Sequence, residues 1–218
     1  MNDIVLMADP SVSAIAVHEC GEALVDVRTG AKLLVDARKA DPADHYAHLR
    51  EGVLQRLLQA QDLLPQGLRL LFVEGYRPPS LQREYFDEYR DGLRAQCSEL
   101  TEAELYAAAS RYVSPPDIAP HSAGAAVDLT LADGDGTELD LGTRMNATPE
   151  ESAGACYTHA PNISPEARAH RAALGAALSA AGLVNYPTEW WHWSYGDRYW
   201  ALSKNAPAAL YGPTDREA

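Results

Sequence analysis

Residues 119–131 read APHSAGAAVDLTL. Prolines at 115, 116 and 120 force an extended approach to His121. Small residues and Gly124 follow, and AVDLTL then alternates or runs apolar in the manner of a core strand. Asp128 is therefore expected within or beside a sheet, with His121 at its entrance. One plain reading is a buried strand entered through a turn, His121 being a satisfied polar residue at its edge. A second polar cluster, near the other end of the chain, weighs against that reading.

The rest of the chain surrounds this strand with both helical and extended patterns. EALVDVRTGAKLLVDA (22–37) sets two apolar segments around Thr29-Gly30, a hairpin-like or strand-turn-strand pattern. From Tyr46 to about Leu63, Leu49, Val53, Leu57 and Leu58 recur at helical spacing, ending near Leu64-Pro65. LRLLFVEGY (68–76) predicts a strand that runs into Arg77-Pro78-Pro79, where Ser80 can cap a helix over LQREYFDEYRDGLRAQ. A further helix is predicted around Glu102 to Tyr112.

Beyond AVDLTL the segment ADGDGTELDLGT is turn-rich, and Arg144 to Ile163 reads as a long loop of the kind that is more often functional than idle. Ser164-Pro165-Glu166 opens a helix that Gly182 closes. NYPTEWWHWSYGDRYWAL follows. Strands mixed with helices, without a regular βαβ rhythm, predict an α+β fold. No internal repeat or low-complexity linker divides residues 1–218, so a single domain is expected.

Composition narrows the function mainly through charge. With 31 acidic and 18 basic side chains the net charge is −13, which repels phosphate backbones and anionic lipid surfaces alike, so neither nucleic acid nor a membrane is an expected partner. Cys20, Cys97 and Cys156 are an odd number with no C-x-x-C pair, which argues against a disulfide framework and a thiolate zinc knuckle. MNDIVLMADPSVSAIAV carries Asp3 and Asp9, no basic start and an interrupting proline, so it does not read as a signal peptide. The best apolar run, ALGAALSAAGL, is too short to span a bilayer. A cytoplasmic location is expected. Oligomeric state leaves no mark in the sequence.

The second polar cluster is Glu189-Trp190-Trp191-His192-Trp193. A glutamate three residues before a histidine, set among aromatics, calls for a partner, and a metal ion is one. On an ideal strand those two side chains face opposite ways, so a shared site requires a bulge or turn there. His121, Asp128 and His192 then become candidate ligands: two imidazoles and a carboxylate, leaving a position for water, make a zinc-hydrolase set. Glu189 is the candidate general base, and Arg77, at a strand end and held by two prolines, the candidate partner for a developing oxyanion. H-E-x-x-H, a phosphate-binding loop and a G-x-S-x-G elbow are all absent, and nothing around Cys156 suggests an activated thiolate.

EGYRP at 74–78, HSAGAAVDLTL at 121–131 and EWWHW at 189–193, in that order and spacing, resemble the zinc D-alanyl-D-alanine dipeptidases. That group sits in a wider family with D,D-carboxypeptidases and L-alanyl-D-glutamate peptidases, and shares a metal-binding fold with the hedgehog signalling domain. The resemblance implies one Zn2+ held by His121, Asp128 and His192, Glu189 as general base and Arg77 as transition-state stabiliser. It further implies a small antiparallel sheet with flanking helices, and a constricted site for free dipeptides. Longer peptidoglycan peptides, as in a D,D- or L,D-carboxypeptidase, are the alternative substrates. The sequence departs from the family at Ala119, where a serine is often found, and at Asn146 in GTRMN, where the dipeptidases place an aspartate near the substrate's amine. Tyr76, Trp190, Trp191 and Trp193 fit a pocket wall and a packed core equally well.

Overall fold

The computed structural model describes residues 4–30 and 32–215. Asp3 of the amino-terminal segment and Ala31 of the Thr29-Gly30 turn region therefore lie outside the described residues. Along the chain come α1 (Pro10–Ser13), β1 (Leu24–Asp26), β2 (Leu34–Val35), β3 (His48–Arg50), α2 (Glu51–Leu63) and β4 (Arg69–Glu74). They are followed by α3 (Pro79–Gln96), α4 (Glu102–Ala109), β5 (Ala126–Ala132), α5 (Pro165–Ala180), β6 (Val184–Asn185), β7 (His192–Ser194) and α6 (Arg198–Lys204).

Five strands form the central sheet in the order β2-β4-β5-β7-β6. The expected α+β architecture is present. The sheet is antiparallel from β4 to β6 but gains a parallel edge where β2 meets β4. β1 and β3 make a separate antiparallel pair. Alternation along β5 decides what faces what. Val127, Leu129 and Leu131 join the core that contains Val53 and Leu57 of α2 and Leu174 and Leu178 of α5. Asp128 and Thr130 consequently point from the opposite face of the sheet.

Local expectations fail where partners distant in sequence claim the backbone. The segments around Thr29-Gly30 do carry two strands, but these do not form a hairpin, because β1 pairs with β3 while β2 pairs with β4. The helix expected from Tyr46 begins only at Glu51. His48–Arg50 is extended against β1, and the carbonyls of Tyr46 and His48 accept from Gly75 and Tyr76 at 2.7 Å each. Hydrogen bonds to other segments there displace a further turn of helix.

Ser80 does not cap α3. Pro78 occupies the cap position and Pro79 the first turn, where a missing N–H costs nothing. α4 stops at Ala109, three residues short of Tyr112, after a capping box between Thr101 and Glu104. Ser164 caps α5 as expected, its hydroxyl accepting from Ala167 N, and Gly182 follows the helix at φ +92°. Between Arg144 and Ile163 the chain has turns but no helix or strand.

Candidate metal centre and active site

Register brings the polar residues of three strands into one row. Glu74 of β4 pairs with Asp128 of β5, and Asp128 pairs with His192 of β7. Directly opposed side chains share a face of the sheet. Glu74 reaches that face through a bulge. Two residues after the core residue Phe72, it would point inward on a regular strand, but the register shifts between Phe72 and Glu74 and turns it outward.

His121 arrives from a different element, a single 3-10 turn over His121–Ala123 that ends on Gly124 at φ +64°. A side chain at Gly124 would be strained by that conformation and would collide with Leu24. The backbone N–H of Arg77 donates to the His121 carbonyl at 3.2 Å, and Arg50 Nε donates to the Ala123 carbonyl at 2.9 Å. The turn is thus tied to the β4 end and to β3.

His121 Nε2, His192 Nδ1 and Asp128 Oδ1 stand at the corners of a triangle with edges of 3.2, 3.1 and 3.3 Å. Two ligand atoms of a tetrahedral ion, each bonded at about 2.0–2.1 Å, lie about 3.3 Å apart. The donor set and its spacing therefore fit zinc. His121 Nδ1 lies 2.6 Å from the Gly75 carbonyl, so that nitrogen carries the proton and Nε2 turns its lone pair to the centre. All three residues are buried. Burial alone would raise the pKa of Asp128, yet the flanking His121 and His192 hold it well below the usual carboxylate range.

Glu189 lies in the turn before β7, its Oε2 3.8 Å from His192 Nδ1. The turn required by the Glu189–His192 spacing is present: Glu189 N donates to Tyr186 O at 2.9 Å and His192 N to Glu189 O at 3.2 Å. Burial pushes the Glu189 carboxyl up to about 7, against the pull of His192 and Arg77. Arg77 is partly buried at the β4 end, where its Nε donates to Glu74 Oε1 at 2.7 Å and its Nη1 to Gln82 Oε1 at 2.8 Å. Burial would weaken its proton affinity, but the Glu74 carboxylate more than offsets this and raises its pKa.

These five residues line one cleft of about 680 Å³ that continues along α3 past Tyr85 and Tyr89 to Gln96. That volume suits ligands of drug size.

Residues 43–207 match the model of the peptidase M15 family, described as D-ala-D-ala dipeptidase. The chain belongs to this family of metallopeptidases. Membership makes the peptidase a hydrolase of D-alanyl-D-alanine. It is 32% identical over 224 residues to a D-alanyl-D-alanine dipeptidase of Synechocystis sp. (strain ATCC 27184 / PCC 6803 / Kazusa), covering 88% of this chain and 89% of the relative. A D-alanyl-D-alanine dipeptidase of Escherichia coli (strain K12) is 29% identical over 127 residues, 58% of this chain and 54% of that protein. Among solved structures, a Zn(II) complex of a mutant vancomycin resistance D,D-pentapeptidase VanY is similar at 22% identity and a TM-score of 0.39, covering 87% of this chain and 86% of that one.

The two departures from the family both border the peptidase's cleft: Ala119 is buried beside His121, and Asn146 adopts a left-handed φ of +59°. Tyr76, Trp190, Trp191 and Trp193 are buried and do not line that cleft. Trp190 Nε1 donates to Thr143 and Trp193 Nε1 to the Trp190 carbonyl, and the three tryptophans belong to the main hydrophobic core. Sequence reasoning missed Glu74 and Gln82. Glu74 stood inside a quoted motif, whereas nothing in LQREYF distinguishes Gln82 from a surface helix residue.

Proposed function

We propose that His121, Asp128 and His192 hold one Zn2+ ion, with Glu189 the general base and Arg77 the stabiliser of the oxyanion. The observation that carries this is the triangle of donor atoms with edges of 3.1–3.3 Å. When bound, the ion acidifies a water molecule and polarises the scissile carbonyl. Glu189, with its carboxyl raised to about 7, takes the water's proton near neutral pH and delivers a proton to the departing amine. Arg77 has Nε and Nη1 already engaged, which leaves Nη2 for the oxygen on which charge develops. The products are two molecules of D-alanine.

The activity belongs to cell-wall peptide metabolism and takes place in the cytoplasm. Three free thiols, Cys20, Cys97 and Cys156, suit a reducing compartment. No helix of the described residues is long and apolar enough to cross a membrane. The test is hydrolysis of D-Ala-D-Ala by purified protein before and after chelation, with metal content measured in parallel. One zinc per chain and loss of turnover on chelation, restored by zinc, are expected; undiminished turnover without metal would overturn the assignment.

A second reading is favoured by the size of the cleft: a D,D-carboxypeptidase acting on longer peptides has room along α3. Competition between D-Ala-D-Ala and a pentapeptide ending in D-Ala-D-Ala separates the two. Preferential cleavage of the pentapeptide would replace the dipeptidase reading by this one.

A further inference from the structure

Gln82 is a polar side chain only 2% exposed, one turn into α3, with both ends of its amide occupied. Its Oε1 accepts from Arg77 Nη1 at 2.8 Å, and its Nε2 donates to the Ser114 carbonyl at 2.7 Å. The orientation is dictated by chemistry, since a guanidinium offers only donors and a carbonyl only an acceptor. Ser114 lies in the segment that leads through Pro115, Pro116 and Pro120 to His121. Gln82 therefore bridges Arg77 to the chain that presents the first candidate ligand.

Glu74 by itself holds Arg77 incompletely. Only its Oε1 makes the hydrogen bond, to Nε at 2.7 Å, while Oε2 makes none and faces Lys39 Nζ at 3.7 Å. A guanidinium held at one nitrogen can still swing about that contact. The second contact, at Nη1, removes the swing, and the Tyr85 ring lies 5.0 Å from Cζ on the face of the group. No hydrogen bond from Nη2 is found among the described residues, and Arg77 borders the cleft.

We propose that Gln82 is a positioning residue for Arg77: with Glu74 it sets the plane of the guanidinium so that Nη2 meets the oxyanion. This rests on the role assigned to Arg77 above. A misplacement of about 1 Å at a charge-stabilising group can reduce turnover about 100-fold. A residue that merely pinned α3 to the 110–120 segment would act through the Ser114 contact and not through Arg77.

Two variants divide the contacts. Gln82→Met keeps the length of the side chain and loses both, whereas Gln82→Glu keeps an acceptor for Arg77 and loses the donor to Ser114. In zinc-loaded enzyme, Gln82→Met is expected to lower kcat for D-Ala-D-Ala about 10- to 100-fold, with KM within about threefold and zinc content unchanged. Gln82→Glu is expected to recover most of that loss. In an Arg77→Ala background, Gln82→Met should have no further effect, since coupled residues are non-additive.

A readout independent of activity is nitrogen-15 NMR of the arginine side chains in metal-free protein. Distinct Arg77 Nη1 and Nη2 signals are expected in the wild type and in Gln82→Glu, collapsing together in Gln82→Met as the group rotates. Equal kcat losses for Gln82→Met with and without Arg77, a Gln82→Glu variant as slow as Gln82→Met, or unchanged Arg77 signals in Gln82→Met would each overturn the proposal. Full turnover by Arg77→Ala alone would instead refute the role of Arg77, while the NMR signals would still report whether Gln82 restrains it.

Discussion

Arg77 and Arg171 both carry a guanidinium away from solvent, and their partners differ in kind. Arg171, on α5, donates through Nε to Leu141 O, through Nη1 to Tyr157 O and through Nη2 to Ala155 O, at 2.7–2.8 Å. Burial with no carboxylate in hydrogen-bond contact brings its pKa down to about 10. Arg77 has a carboxylate at Nε and an amide oxygen at Nη1, and its proton is held more tightly than usual. All three nitrogens of Arg171 serve backbone carbonyls, two of them in the long irregular loop and the third, Leu141, just before it. Arg77 keeps one nitrogen for the cleft. Burial alone therefore does not mark a functional arginine; the distribution of its donors does.

Substitutions around Arg77 should change turnover, and those at Arg171 should change stability. The largest loss is expected beside Arg77 at Glu189: Glu189→Gln should lower kcat by about 10²–10⁴, with zinc retained by metal analysis. The same group sets the acid limb of the pH profile. Glu189 must be unprotonated to accept a proton, so kcat/KM falls as pH drops through its pKa. Burial raises that pKa to about 7, and the charge of a bound cation lowers it, so the limb is expected at or below pH about 7. Glu189→Gln should erase the limb, as rate measurements between pH 5 and 9 would show.

Arg77→Ala is expected to cost about 10²–10³ in kcat per folded molecule, and it also lowers stability, because the buried Glu74 carboxylate loses its hydrogen-bonded partner. Arg77→Lys should recover little, because an ammonium cannot engage Glu74, Gln82 and an oxyanion in one plane. Arg171→Met leaves two buried carbonyls, Leu141 and Ala155, and the part-buried carbonyl of Tyr157 without a donor, each buried one costing about 1–3 kcal/mol. A loss of at least about 2 kcal/mol, or roughly 4–8 °C in Tm, is expected by thermal melting. Turnover per folded molecule should be unchanged. Comparable kcat losses at the two arginines would break the contrast between them.

The smallest expected effect sharpens substrate choice. Asn146→Asp puts a carboxylate at the cleft edge in a backbone conformation that aspartate also tolerates. KM for the free dipeptide, which carries an ammonium group, should fall by a few-fold, while that for an N-acylated analogue should not.

The candidate ligands, base and oxyanion partner were legible because each sits in a short motif whose residue types have few other uses together. AVDLTL was legible as a strand because both of its faces are buried, and the Ser164-Pro165 cap because its hydrogen bonds are local. β3 was not legible: His48–Arg50 satisfies its backbone with β1 and with the end of β4, partners that helical spacing around Leu49 cannot reveal. Glu74 and Gln82 escaped for the same reason. A bulge turns the first to the face that carries Asp128, and the second meets Arg77 and Ser114 only after α3 has packed.

The sequence by itself determined the chemistry available: two imidazoles, two carboxylates and a guanidinium, a glycine that admits the left-handed turn after His121, and apolar alternation that aims Asp128 away from the core. Tertiary structure decided which of these meet and at what distance. Strand register set Glu74, Asp128 and His192 in one row, and hydrogen bonds between distant segments oriented His121 and Arg77. The physical reason is that local preference acts over a few residues, whereas ligand spacing of about 3 Å is set by pairing between strands roughly 60 residues apart.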